Sequence, residues 1–151
     1  MDERLNIVKA GLEELEQVAT LFDLYRQFYH QDANIELATN YIEQRMKTDS
    51  SVIYLALDKN KQALGFTQLY PSFCSVDATP IWILYDLFVD KNARQKGVGK
   101  ALMAQALQLA TETGASRIDL ETAIDNKQAQ ALYEGLGYER DDEYYKYCLE
   151  L

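Results

Sequence analysis

Apolar positions along the chain alternate between two periods. Leu12, Leu15, Val18, Ala19, Phe22 and Tyr25 recur every three or four residues, which predicts a helix continuing to about Tyr29. A second helix is expected from Ile35 to Met46, with Leu37, Ala38, Tyr41, Ile42 and Arg45 on its inner side. Before them, Asn6 to Ala10 reads as a strand punctuated by Gly11. After them, Ser51 to Leu57 is too short and too β-rich for a good helix. Asp58 to Lys61 is the turn of a hairpin into a strand over Ala63 to Tyr70. Pro71 is expected to stop or bend that strand, leaving a loop or irregular edge up to Pro80. Ile81 to Val89 then reads as the fourth and most buried strand.

From Gly99 to Thr113 the apolar stripe Leu102, Met103, Ala106, Leu107, Ala110 predicts an amphipathic helix closed by Gly114. Ser116 to Thr122 is a fifth strand, parallel to the fourth if the helix crosses over between them. A helix over Lys127 to Leu136 follows, ended by Gly137, and two last strands are expected near Tyr138 to Arg140 and Tyr144 to Leu149. The order β-αα-βββ-α-β-α-ββ is that of an α/β protein with a central mixed sheet flanked by helices. No linker, repeat or low-complexity tract divides it, so residues 1–151 are expected to form a single domain.

Composition narrows the function classes. A chain of 151 residues with 48% hydrophobic and 26% charged residues can bury one core and is not disordered. No apolar run approaches the roughly 20 residues needed to span a bilayer, and charges stand where a signal peptide needs an apolar stretch. A cytoplasmic protein with no membrane partner is therefore expected. Cys74 and Cys148 lack CxxC spacing and only one histidine is present, so no metal site is expected and both thiols read as small packed hydrophobes. A formal charge of −9 disfavours nucleic acid. It suits a cationic amine, or simply solubility.

The segment Leu84 to Lys100, LYDLFVDKNARQKGVGK, joins a strand to a helix through Arg94, Gln95, Lys96, Gly97, Val98 and Gly99. Two glycines let the backbone pass close to a ligand, and the amides of a helix N-terminus bind anions readily. Alone, the loop reads rather as an ordinary glycine-containing helix start. Lys100, Ala101 and Leu102 follow Gly99, so the third glycine of a dinucleotide fingerprint is missing. The Walker pattern fails as well, with Ala101 after Lys100 and Arg94 where its first glycine belongs.

A second segment, Asn126 to Tyr138, places Asn126 and Tyr133 two helical turns apart and then supplies Gly135, Gly137 and Tyr138. Together the two segments resemble the GNAT superfamily of acetyl-coenzyme A-dependent N-acetyltransferases, over essentially the whole chain. Its loop reads Arg/Gln-x-x-Gly-x-Gly/Ala, and its later helix carries Asn followed seven residues on by Tyr. The resemblance implies that amides from Gln95 to Lys100 cradle the coenzyme pyrophosphate, with Arg94 supporting the loop or a phosphate. It implies too that the backbone of Leu87, Phe88 and Val89 pairs with the pantetheine arm as an added strand. Asn126 would hydrogen-bond the pantetheine or cap its helix, or both, and Tyr133 would protonate the departing thiolate.

Acetyl transfer to an amine also needs a base. Diamine N-acetyltransferases commonly carry Leu-Glu-Asp where this chain has Leu84-Tyr85-Asp86, so the carboxylate of that branch is replaced by Tyr85. Asp86 remains the candidate base, directly or through water, with a structural hydrogen-bonding role as the alternative. The same resemblance points to Tyr25, Tyr29, His30, Gln68, Tyr70 and Phe73, with Tyr85, as lining the acceptor site. His30, the only histidine, could act as a base but reads rather as a partly exposed helix-end residue. The expected activity is acetyl transfer from acetyl-coenzyme A to a primary amine by direct attack in a ternary complex. Protein or histone acetylation and a non-catalytic acyl-coenzyme A-binding module are the alternatives. The resemblance also implies a homodimer, through Tyr144, Tyr145 and Tyr147, with packing of those tyrosines within one chain as the alternative.

Overall fold

The computed structural model describes residues 5–151 and divides the chain into two compact units, Met1–Leu120 and Glu121–Leu151. In the first unit, strands β1 (Asn6–Lys9), β2 (Val52–Leu57), β3 (Ala63–Cys74), β4 (Thr79–Val89) and β5 (Ile118–Leu120) form one sheet in sequence order. The first three pairings are antiparallel. β4 and β5 run parallel, as the crossover through a helix requires.

Helices α1 (Leu15–Phe28) and α2 (Ile35–Thr48) pack on one face of this sheet. Val18, Leu21 and Phe22 of α1 and Ala38 and Ile42 of α2 close a core against Ile53, Leu55, Phe66 and Phe88. A single 3₁₀ turn at Leu12–Glu14 precedes α1, and Asn34 caps α2 by accepting from the Leu37 amide. Helix α3 (Val98–Glu112) buries Val98, Leu102, Met103, Ala106 and Ala110, and it contacts β2, β3 and β4. Covered by helices on both faces, β2 is buried over five consecutive residues, Val52 to Ala56. It is thus β2, and not β4, that is the most buried strand, because β4 alternates and carries exposed Pro80 and Tyr85.

Pro71 does not end its strand. β3 continues to Cys74, with Pro71 opposite Trp82 and Cys74 opposite Thr79. The reason is positional: β2 pairs with β3 no further than Leu69, so beyond it β3 is an edge, where a missing amide hydrogen costs no ladder bond. The two strands approach closely at the other end of the hairpin. A Cβ on Gly65 would lie 2.7 Å from the Phe88 carbonyl oxygen, so glycine there is a packing requirement.

In the second unit α4 (Lys127–Gly135) is capped by Asn126, whose side chain accepts from the Ala129 amide. Gly137, with φ of 96°, turns the chain so that the Tyr138 amide donates to the Tyr133 carbonyl at 3.0 Å. The two final strands are not found: among the described residues no strand follows Leu120. The β-rich composition of Tyr144 to Leu149 is not enough, because a strand exists through its ladder and this segment makes none; its tyrosines are exposed. Cys148 is exposed too and not packed, whereas Cys74 is half-buried and accepts a hydrogen bond from the Arg117 guanidinium.

Candidate active site

The β3–β4 register slips by one residue at its midpoint. Gln68 faces Asp86 and Leu69 faces Leu84, which leaves Tyr85 opposite nothing. Such a bulge bends the strand and re-aims side chains. Here Tyr85 turns outward and is 61% exposed, while Asp86 turns inward and is 3% exposed. The Tyr85 carbonyl, without a cross-strand partner in this register, accepts from the Tyr25 hydroxyl at 3.2 Å.

A buried carboxylate needs donors. Gln68, fully buried, gives its amide to Asp86 Oδ2 at 2.6 Å, and Ser51 donates to Gln68 Oε1 at 2.7 Å. The chain of donors therefore runs Ser51 to Gln68 to Asp86, with the one negative charge at its end. Thr67 donates to the Asp86 carbonyl at 2.7 Å and fixes the strand behind it. Burial pushes the Asp86 carboxyl above the usual carboxylate range, and the Gln68 amide and Tyr25 hydroxyl pull it partly back. The result suits a proton acceptor more than an unperturbed aspartate would.

Aromatic rings surround this group. Tyr25 packs edge-on against Tyr29, Phe66 and Phe88 at centroid distances of 5.2, 5.9 and 6.3 Å. Tyr70 meets Tyr85 edge-on at 5.8 Å, and its hydroxyl shares a 2.6 Å hydrogen bond with that of Tyr41. Burial, with the nearby Asp86 charge, raises Tyr25; burial, the Tyr41 hydroxyl and Asp86 raise Tyr70. Both therefore stay neutral phenols. Of the expected acceptor residues, Tyr25, Tyr29, Gln68, Tyr70 and Tyr85 come together. Phe73, an odd number of residues beyond Tyr70, points to the opposite face of the sheet and is exposed. His30 sits past the end of α1, exposed, with φ of 67°.

Beyond the bulge lies a bare strand edge. β5 pairs with β4 only at Trp82, Ile83 and Leu84, so in this sheet the edge from Tyr85 to Val89, with Leu87 and Phe88 between, has no neighbouring strand. An extended chain of amides can pair with such an edge. The edge runs into a 3₁₀ turn at Lys91–Ala93, where the Asp90 carboxylate accepts from the Asn92 amide. Arg94 then donates to the Val89 carbonyl at 3.0 Å and lies over the rings of Phe88 and Phe28 at 5.7 and 6.0 Å. It is bound into the loop's own structure. Gln95 and Gly97 both have positive φ, 65° and 81°, and turn the chain into α3.

No side chain caps the N-terminus of α3. The amides of its first turn, at Val98, Gly99 and Lys100, have no intrahelical acceptors, and exposed Lys96 and Lys100 flank them. The arrangement is an anion site of backbone amides and lysines. In the other unit Tyr133 is buried on α4, 6.0 Å from the ring of Tyr138, and Asn126 fills the cap position.

A sequence model described as the acetyltransferase (GNAT) family matches residues 16–138. The chain belongs to this family. The GNAT acetyltransferase is 40% identical over 147 residues to the uncharacterized N-acetyltransferase YhfO of Bacillus subtilis, covering 97% of this chain and 98% of that protein. It is 32% identical over 119 residues to a probable acetyltransferase of Haemophilus influenzae, covering 79% and 82%. The crystal structure of a probable acetyltransferase superposes with a TM-score of 0.90 at 42% identity, covering 97% of each chain. An aminoglycoside N-acetyltransferase solved in complex with CoA shares the fold, with a TM-score of 0.82 at 21% identity over 97% of this chain and 95% of that one.

Four residues beside this candidate site escape a reading of the sequence as site residues. Ser51 and Thr67 carry no motif, and only the strand register brings them to Asp86. Tyr41 and Arg45 were legible as the inner side of α2 but not as part of a site. Arg45 lies over the Tyr41 ring at 5.0 Å, one helical turn away. No helix among the described residues is long and apolar enough to cross a membrane.

Proposed function

We propose that this acetyltransferase moves acetyl from acetyl-coenzyme A to a primary amine by direct attack in a ternary complex. The observation that carries the reading is the placement of buried Asp86 at the bulge where the bare β4 edge begins. Along that edge the backbone of Leu87 to Val89 offers strand-like pairing for the pantetheine arm. At its far end the uncapped amides from Gln95 to Lys100 offer a cradle for the pyrophosphate. The thioester supplies an activated acyl group. Asp86, held by Gln68, accepts the amine's proton directly or through water, and Tyr25, Tyr29, Tyr70 and Tyr85 orient the amine. An amide of the strand near Phe88 or Val89 polarises the acetyl carbonyl. Tyr133 gives its proton to the departing thiolate, and Asn126 holds the pantetheine while capping α4.

The bound coenzyme of the fold neighbour supports this donor, and the net charge of −9 favours encounter with cationic amines. Release of free coenzyme A thiol with polyamines, amino acids, aminoglycosides and peptides tests the reading. If none raises thiol release above the rate with acetyl-coenzyme A alone, it fails. Exposed Tyr144, Tyr145 and Tyr147 support pairing of two copies as a homodimer, which sedimentation of the wild type against a triple serine variant would check.

A further inference from the structure

Arg45, on α2 beside the tyrosines of the acceptor region, forms no ion pair among the described residues. Its guanidinium lies over the Tyr41 ring at 5.0 Å, and its Nε is buried without a hydrogen-bond partner. No carboxylate forms an ion pair with it among the described residues, although the chain holds 24 acidic residues to 15 basic ones. Stacking on Tyr41 satisfies the face of the guanidinium and leaves its N–H groups, which lie in its plane. A half-buried guanidinium costs free energy unless an acceptor meets it.

Its position relative to Asp86 gives that acceptor an address. Tyr41 shares its hydroxyl hydrogen bond with Tyr70, and Tyr70 packs on Tyr85, the bulge residue next to Asp86. Asp86 and Arg45 are thus linked through the contacting side chains of Tyr41, Tyr70 and Tyr85. Gln68, which holds Asp86, and Tyr70 are two residues apart on the same face of β3, roughly 7 Å along the strand. A ligand reaching both Asp86 and Arg45 carries its two charges several bonds apart.

Resting on the proposed transfer to an amine, we infer that Arg45 binds a carboxylate on the acceptor, which is an amine bearing that carboxylate several bonds from its nitrogen. The carboxylate takes the guanidinium N–H groups, its chain lies along the rings of Tyr70 and Tyr85, and its amine reaches Asp86. Arg45 is a specificity residue and takes no part in the chemistry.

Three acceptors of equal length test the inference: 6-aminohexanoate, 6-aminohexanamide and 1,6-diaminohexane, which present a negative, neutral or positive far end. Wild type is expected to favour the acid over the amide by about tenfold or more in kcat/KM, through KM, with the diamine poorest. Arg45→Met should bring acid and amide to within about twofold of each other, and Arg45→Lys should keep part of the preference. Calorimetric binding of the three compounds to the wild type and Arg45→Met chains reads the same preference without turnover. Arg45-dependent binding of the acid with no thiol release would leave this inference standing and sink the transfer reading. Equal binding of acid and amide by wild type, or a preference that survives in Arg45→Met, overturns the inference whatever the activity.

Discussion

Replacing Gln68 by Met keeps the length of the side chain and removes the donor that faces Asp86 at 2.6 Å. Hydrogen bonds to a charged group contribute about 1.5–3 kcal/mol, so the ionised form of Asp86 loses that much relative to its neutral form. The proton affinity of the carboxyl therefore rises by about ten- to a hundredfold. Burial has already raised Asp86 and the Gln68 amide opposes it, so removal moves the group further in the direction of burial. Carbon-13 shifts of the Asp86 carboxyl, followed against pH and assigned with Asp86→Asn, measure this without any acceptor. The acid limb of kcat/KM should move to higher pH with it. Stability supplies a second readout with a definite sign. A carboxyl raised by folding contributes stability below the ordinary carboxylate range that is lost as pH rises through the raised value. In Gln68→Met that loss is larger, so the variant should fall behind wild type in urea by about 1–3 kcal/mol at neutral pH, and the gap should narrow in acid to the cost of the lost Ser51 hydrogen bond. An Asp86 titration that stays in place or moves to lower pH would refute the coupling of Gln68 to Asp86.

Three further outcomes are expected. Asp86→Asn should lower kcat about 10²- to 10⁴-fold and abolish the acid limb in a pH–rate series; a variant of near wild-type rate removes Asp86 from the base role. Tyr133→Phe should lower turnover more than affinity for acetyl-coenzyme A, measured by steady-state kinetics alongside calorimetry, and an unchanged rate would assign the thiolate proton elsewhere. Gly65→Ala puts a Cβ 2.7 Å from the Phe88 carbonyl oxygen and 3.2 Å from the Val89 Cα, backbone atoms that cannot rotate aside. Urea unfolding should find it about 1–3 kcal/mol less stable, and full stability would mean that the hairpin relaxes freely there.

The sequence by itself determined the element order through β5 and α4, the loop from Arg94 to Lys100 and the spacing of Asn126 and Tyr133. These are local features, set by hydrophobic period, glycine placement and helix capping, and a few neighbouring residues suffice to specify them. What the tertiary structure decided depends on contacts between distant segments. Pro71 stays in its strand because β2 has ended beside it, and the last two strands are missing because Tyr138 to Leu151 finds no ladder. Asp86 was visible as a carboxylate in an apolar run, but its burial against Gln68, which Ser51 holds in turn, follows from a single-residue slip in the β3–β4 register. That slip also turns Tyr85 outward toward Tyr70, where Tyr41 and Arg45 arrive from α2. Strand side chains alternate with a period of two, so one unpaired residue decides which groups face the site, and no pattern along the chain announces where it falls.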